Sequence, residues 1–177
     1  MSIVKSLIER MNGTIEVTSK QGVGSTFVIT LPFQIAQKPA ERPKSEGASL
    51  RGLRLLLAED NSLNAEIAKT LLTDEGAVVT TAANGQQAVD MFNDSPAGTF
   101  DAILMDVMMP VMDGLTATRT IRALPRPDAK QIPIIAMTAN VFAADARRCI
   151  AAGMNTHLAK PLEMEKVKQT ISEQVRK

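Results

Sequence analysis

The chain has 177 residues, with 20 Lys plus Arg against 19 Asp plus Glu and a single His, for a formal net charge of +1. That balance excludes a strongly basic nucleic-acid binder and an acidic disordered tail, and the absence of Trp and Tyr argues against stacking on bases. One cysteine, Cys149, excludes an internal disulfide and fits a reducing, cytoplasmic compartment; no apolar run is long enough to span a bilayer, and Met1-Ser-Ile-Val-Lys5 lacks the layout of a secretory signal.

In chain order, residues 1–33 predict a helix and a β-hairpin. Ile3, Val4, Leu7, Ile8 and Met11 recur at helical spacing, with Gly13 expected to end the helix. Ile15 and Val17, then Phe27, Ile29 and Leu31, alternate with polar residues across the turn Gln21-Gly-Val-Gly-Ser25. A piece this short buries little core and is expected to lean on something else or fray. Residues 34–50 carry two prolines and little apolar content and read as a linker. Residues 1–50 sum to +2 and residues 51–177 to −1.

Residues 51–177 alternate strand and helix five times. The expected strands are Leu53–Leu57, Ala77–Thr81, Ala102–Met105, Pro133–Met137 and Thr156–Ala159. Amphipathic stretches lie between and after them. The first, with Leu63, Ile67, Leu71 and Leu72, is capped by Asn61 or Ser62 and stopped by Gly76. The others carry Ala88 and Phe92; Leu115, Ile121 and Leu124; Val141, Ala144, Cys149 and Ile150; and Leu162, Val167, Ile171 and Val175. Apolar strands alternating with helices predict a parallel sheet covered on both faces. Ligands of such sheets sit beyond the carboxyl ends of the strands.

Those strand ends carry Glu59 and Asp60, Asp106, Thr138, and Lys160 followed by Pro161. Three clustered carboxylates resist ionisation unless a cation joins them. Mg2+ takes oxygen ligands and commonly uses one or two carboxylates plus a phosphate. A carboxylate can also serve as nucleophile to form an acyl phosphate, with Thr138 and Lys160 left to bind phosphoryl oxygens. Taken singly, each residue reads more plainly as a cap, a turn former or a solvated surface group. Jointly they supply what one mechanism needs.

With Leu-Leu-Leu-Ala-Glu59-Asp60-Asn61, Asp106-Val-Met-Met-Pro110-Val-Met-Asp113-Gly114, Ala136-Met-Thr138-Ala and Lys160-Pro161, residues 51–177 resemble a receiver domain of two-component signalling. The resemblance implies a flavodoxin-like (βα)5 fold with parallel strand order 2-1-3-4-5. It implies Asp106 as phosphoacceptor, Mg2+ held by Glu59, Asp60, Asp106 and the Met108 backbone carbonyl, and Thr138 and Lys160 holding the phosphoryl group. It also implies a cis Lys160–Pro161 bond. Receivers usually carry Tyr or Phe three residues before this Lys, where His157 stands here, read as an edge-strand surface residue. Ser2-Ile-Val-Lys-Ser-Leu-Ile-Glu-Arg-Met-Asn-Gly13 and Gly22-Val-Gly24-Ser-Thr26-Phe27…Leu31-Pro32 resemble the end of a histidine-kinase ATP-binding domain. The boxes that bind Mg·ATP precede this stretch in that family and have no match here, so ATP binding by this chain is not expected.

The whole then resembles the C-terminal end of a hybrid sensor histidine kinase: remnant of the catalytic domain at 1–33, linker at 34–50, receiver at 51–177. The implied partners are a phosphohistidine donor and a histidine phosphotransfer domain. No DNA-binding module follows the last helix, which argues against nucleic acid as a partner. Two other readings are a receiver-like docking or dimerisation module that never turns over phosphate, and an unrelated Mg2+-dependent phosphatase with an Asp nucleophile. Against the second stands Met108, where such enzymes generally place a second Asp.

Overall fold

The structure is a computed structural model that describes residues 2–33, 49–139 and 143–175. The chain forms two compact units, Met1–Ser45 and Glu46–Lys177.

In the first unit, α1 (Ser2–Arg10) precedes strands β1 (Thr14–Lys20) and β2 (Gly24–Thr30), which pair antiparallel from Thr14↔Thr30 to Lys20↔Gly24. Helix α1 ends as expected near Gly13, but Asn12 takes the left-handed conformation, at φ 56°. Asn tolerates that region because its short polar side chain can bond locally. Gly13 is required for space instead, since a Cβ there would lie 2.5 Å from the Leu31 side chain and 2.6 Å from the Thr30 carbonyl oxygen. Ile8 is the one buried side chain among this unit's described residues, while Val17, Phe27, Val28 and Ile29 are exposed.

The second unit alternates β3 (Arg54–Ala58), α2 (Ser62–Asp74), β4 (Val78–Ala82), α3 (Gly85–Asp94), β5 (Ala102–Asp106), α4 (Gly114–Ala123), β6 (Ile134–Thr138), α5 (Ala143–Ala152), β7 (Thr156–Ala159) and α6 (Met164–Val175). All five strands are parallel, in the order β4-β3-β5-β6-β7. Counted within this unit, that is 2-1-3-4-5, as expected.

The two-residue period of a strand explains the apolar runs, because successive side chains feed opposite faces. Leu56, Ala58, Ile103, Met105, Ile134 and Ala136 pack in one cluster with Ala88, Val89 and Phe92 of α3, Ala117 and Ile121 of α4, and Cys149 of α5. Leu55, Leu57, Leu104, Ile135, Met137 and Leu158 pack in the other with Ala68 and Leu72 of α2 and Val167 and Ile171 of α6. A side chain such as Phe92, fully buried in the first cluster, contributes about 3–5 kcal/mol on the scale of Phe→Ala truncations.

Four of the five strands run one residue further toward their carboxyl ends than the apolar runs suggest; β7 starts and ends where expected. The N-cap of α2 is Asn61, whose side chain accepts from the Asn64 N–H at 3.1 Å, and the helix is followed by Gly76 at φ 89°. The expected linker falls mostly outside the described residues, as does Val141, but its last residue, Leu50, is fully buried in the second cluster and belongs to the core.

Candidate phosphoacceptor site

Backbone registry builds the site. Ala58 pairs with both Ala82 and Met105, Asp106 with Met137, and Thr138 with Ala159. The residues that end β3, β5, β6 and β7 therefore share one edge of the sheet. Glu59 and Asp60 follow β3, Asp106 closes β5, Thr138 closes β6, and Lys160 follows β7.

The Lys160 ammonium donates to Glu59 Oε2 at 2.5 Å and to Asp106 Oδ2 at 2.6 Å. Glu59 and Asp106 are buried, 4% and 6% exposed, whereas Asp60 is exposed. Burial alone would lower the Lys160 pKa; hydrogen bonds to Asp106 and Glu59, with their charges, outweigh it and hold the ammonium above its ordinary value. The remaining oxygen of each buried carboxylate is also held. Asp106 Oδ1 accepts from the Met108 N–H at 3.2 Å, and Glu59 Oε1 accepts from the Asn64 side-chain amide at 3.2 Å.

One oxygen from each of Glu59, Asp60 and Asp106 lies within 4.8 Å of the others. Three carboxylates and one ammonium leave a formal charge of −2, and all the donors are hard oxygens. This donor set fits a divalent cation such as Mg2+. The positive end of α2 begins two residues beyond Asp60 and favours anions at the same place.

The loop after Asp106 is fixed by backbone contacts. Val107 N–H donates to the Met137 carbonyl, Gly114 N–H to the Val107 carbonyl, and Gly85 N–H to the Met112 carbonyl. A Cβ on Gly114 would lie 2.1 Å from the Asp106 carbonyl oxygen, and one on Gly85 2.4 Å from that of Met112. Met112 N–H donates to the Pro110 carbonyl at 2.7 Å, closing a γ-turn on Val111 at φ 67°. A β-branched residue there costs on the order of 1–3 kcal/mol, which the surrounding bonds must hold. Asp113 caps α4, accepting from the Thr116 N–H at 2.8 Å. That bond leads the causes that lower its pKa.

Every residue expected at the site thus lies at this edge, and the Lys160–Pro161 peptide is cis. Thr138 is half-buried and lines a cleft with Val107, Met108 and Arg119. His157 sits on β7 at the margin of the sheet, paired with Ala136, and is half-buried rather than surface-exposed. The sequence reading missed Asn64, an exposed polar residue of a first helical turn with no motif of its own.

The profile of the response regulator receiver domain matches residues 55–172. The chain belongs to the response-regulator receiver family. Receivers of this family work in two-component phosphorelay signalling. The chain is 39% identical to the receiver domain of sensor histidine kinase PA1611 from Pseudomonas aeruginosa PAO1, a crystal structure with a magnesium ion coordinated in the active-site cleft. That match covers 71% of this chain and 99% of the other, at a TM-score of 0.64. A chain of the co-crystal structure of the Saccharomyces cerevisiae phosphotransfer protein Ypd1 with the receiver domain of its downstream response regulator Ssk1 is 26% identical. It is matched over 91% of its length and 72% of this chain, at a TM-score of 0.63. Among full-length relatives, the aerobic respiration control sensor protein ArcB of Escherichia coli K12 is 35% identical over 166 residues. Those residues are 93% of this chain but only 21% of ArcB, and the chain spans 8% of hybrid signal transduction histidine kinase I of Dictyostelium discoideum. Among the described residues, no helix is long and apolar enough to cross a membrane.

Proposed function

We propose that Asp106 accepts a phosphoryl group from a phosphohistidine, with Glu59, Asp60, Asp106 and the Met108 backbone carbonyl holding Mg2+ and with Thr138 and Lys160 receiving the phosphoryl oxygens. The observation that carries this reading is the Lys160 ammonium set between the two buried carboxylates, Glu59 and Asp106, beside the exposed Asp60.

An Asp106 carboxylate oxygen attacks phosphorus in line. The new O–P bond forms as the P–N bond to the donor imidazole breaks, and the imidazole nitrogen takes up a proton. Mg2+, when bound, supplies neutralisation of charge on the transferring oxygens. Lys160 is held at the carboxylate by its two hydrogen bonds and is placed to follow the charge onto the phosphoryl group. The Met108 N–H, bonded to Asp106 Oδ1, fixes the plane of the nucleophile and keeps the loop backbone beside it. Thr138 stands one residue beyond the Asp106↔Met137 pair on the neighbouring strand, where its hydroxyl serves the same group.

The donor is a histidine kinase and the onward acceptor a histidine phosphotransfer domain; slow hydrolysis of the acyl phosphate resets the domain. The relatives named above support these partners. We read residues 1–33 as the remnant of a kinase ATP-binding domain and 34–50 as linker, in a protein acting in the cytoplasm. A docking module indifferent to phosphate has no use for all of Glu59, Asp60, Asp106, Thr138 and Lys160.

The test is incubation with Mg2+ and acetyl phosphate, or with beryllofluoride, followed by mass and by backbone amide shifts. A labile adduct of one phosphoryl group is expected, and Asp106→Asn abolishes it. No adduct and no amide shift in the wild-type protein would sink the reading.

A further inference from the structure

We infer that Asn64 is a positioning residue for the metal site: its side-chain amide orients Glu59 so that Oε2 faces the cation and the phosphoryl group. This rests on the phosphoacceptor reading above and adds to it a residue outside the acidic cluster.

The two buried carboxylates are held by parallel means. Each gives one oxygen to Lys160, and each gives the other to a neutral N–H: Asp106 Oδ1 to the Met108 backbone and Glu59 Oε1 to Asn64 Nδ2. The neutral bond leaves the carboxylate its charge and fixes its plane. A ligand oxygen already aimed need not be ordered when the cation arrives, and partners that orient metal ligands typically affect affinity by 10–100-fold.

The identity of residue 64 is otherwise hard to explain. Asn64 is the third residue of α2 and its backbone N–H is the one capped by Asn61. For the helix alone, Glu is favoured there, since it completes a capping box and suits the positive helix end. Asn is a poor helix former. A Glu would place a further carboxylate beside Glu59, Asp60 and Asp106. An amide reaches Glu59 without adding charge. Asn64 also lines a cleft of about 420 Å³ with Glu59, Met137, Lys160 and Leu162.

The test compares wild type, Asn64→Ala and Asn64→Gln in the full chain. Mg2+ affinity is read from amide shifts, the Mg2+ dependence of beryllofluoride adduct formation by mass, and the thermal midpoint in chelator. Asn64→Ala is expected to weaken Mg2+ binding about tenfold. It should raise the half-saturating Mg2+ for adduct formation equally and leave the plateau unchanged. Ala is the better helix former, so the metal-free midpoint stays level or rises; a merely structural role would lower it. Asn64→Gln, which keeps the amide, recovers most of the affinity. Wild-type affinity in Asn64→Ala, a lowered plateau at unchanged affinity, or Asn64→Gln as weak as Asn64→Ala each overturns the inference. Failure of the wild type to give an adduct overturns the phosphoacceptor reading instead.

Discussion

Replacing Lys160 with Met keeps an apolar stem of similar length and removes the ammonium. Glu59 and Asp106 then face each other with no cation between them, both buried. Their ligand oxygens lie within 4.8 Å, a separation at which two unit charges repel by about 3 kcal/mol at an effective dielectric of roughly 20. Breaking a buried ion pair from one side costs about 3–5 kcal/mol, and the two figures describe the same loss. We expect the metal-free variant to be destabilised by about 3 kcal/mol, lowering Tm by roughly 10 °C. Mg2+ should reverse this. In the wild-type protein the ammonium competes for Glu59 Oε2 and Asp106 Oδ2, and the site's formal charge is −2; in the variant the oxygens are free and the charge is −3. Saturating Mg2+ should therefore raise the variant's Tm more than the wild type's, and Mg2+ should bind more tightly, while acetyl phosphate or beryllofluoride produces a weaker amide-shift response. Calorimetry with chelator and with Mg2+ measures both halves. A metal-free variant within about 1 kcal/mol of wild type, or a gap that Mg2+ leaves unchanged, would refute the account of Lys160 as the resident counter-charge.

Two further outcomes follow from the same geometry. Gly114→Ala puts a Cβ 2.1 Å from the Asp106 carbonyl oxygen, a backbone atom that cannot swing aside; a loss of about 1–3 kcal/mol in denaturant melts and a lowered yield of Asp106 adduct are expected. Stability should also fall in acid through three carboxylates outside the Glu59–Asp60–Asp106 cluster. Burial alone would raise Asp101, but hydrogen bonds from the Arg54 guanidinium and N–H outweigh it; the Thr116 N–H lowers Asp113 and the Arg126 guanidinium lowers Asp128. A pKa depressed by folding gives stability that is present above the unfolded value, 3.8, and lost as pH falls through the folded one. The melting temperature should therefore drop on going below about pH 4, and Asp101→Asn should flatten that slope; an unchanged slope counts against the Arg54–Asp101 pair as a contributor.

The strand ends were legible because β3, β5 and β6 are largely apolar runs that a polar residue ends, and a parallel sheet collects its carboxyl ends at one edge. The one-residue displacement of the strands was not legible, because backbone pairing, and not side-chain polarity, decides where a ladder stops. β3 drops the expected Leu53 and gains Ala58, and it begins at Arg54, whose N–H and guanidinium both bond Asp101 at the sheet's entry. Lys160 and Glu59 are 101 residues apart, so their contact could be reached only through the fold that the strand pattern implied. Asn64 had no such route. Its partner is five residues back across a turn, and on a helical wheel it is one more exposed polar residue. His157 differs again, because pairing with Ala136 on β6 sets how deeply β7 sinks its side chains, and no local pattern encodes that.

The division of labour between backbone and side chains at this edge bears on how the domain responds to phosphorylation. The loop from Asp106 to Gly114 is held by backbone bonds to β6 and α3, by a Gly packed against the Asp106 carbonyl, and by a strained γ-turn at Val111. Such a loop is costly to deform, so it fixes Asp106, the proposed phosphoacceptor, and gives little when charge is added. Lys160 is fixed differently, by two hydrogen bonds to carboxylates, and both weaken when a divalent cation takes the same oxygens. The group free to follow a new phosphoryl charge is therefore the ammonium at the end of β7, the strand that also carries His157 and leads into α6. On this reasoning the response to phosphorylation is transmitted at the β6–β7–α6 side of the sheet, and amide shifts on beryllofluoride binding should be larger there than along α2, whose start is pinned by the Asn61 cap.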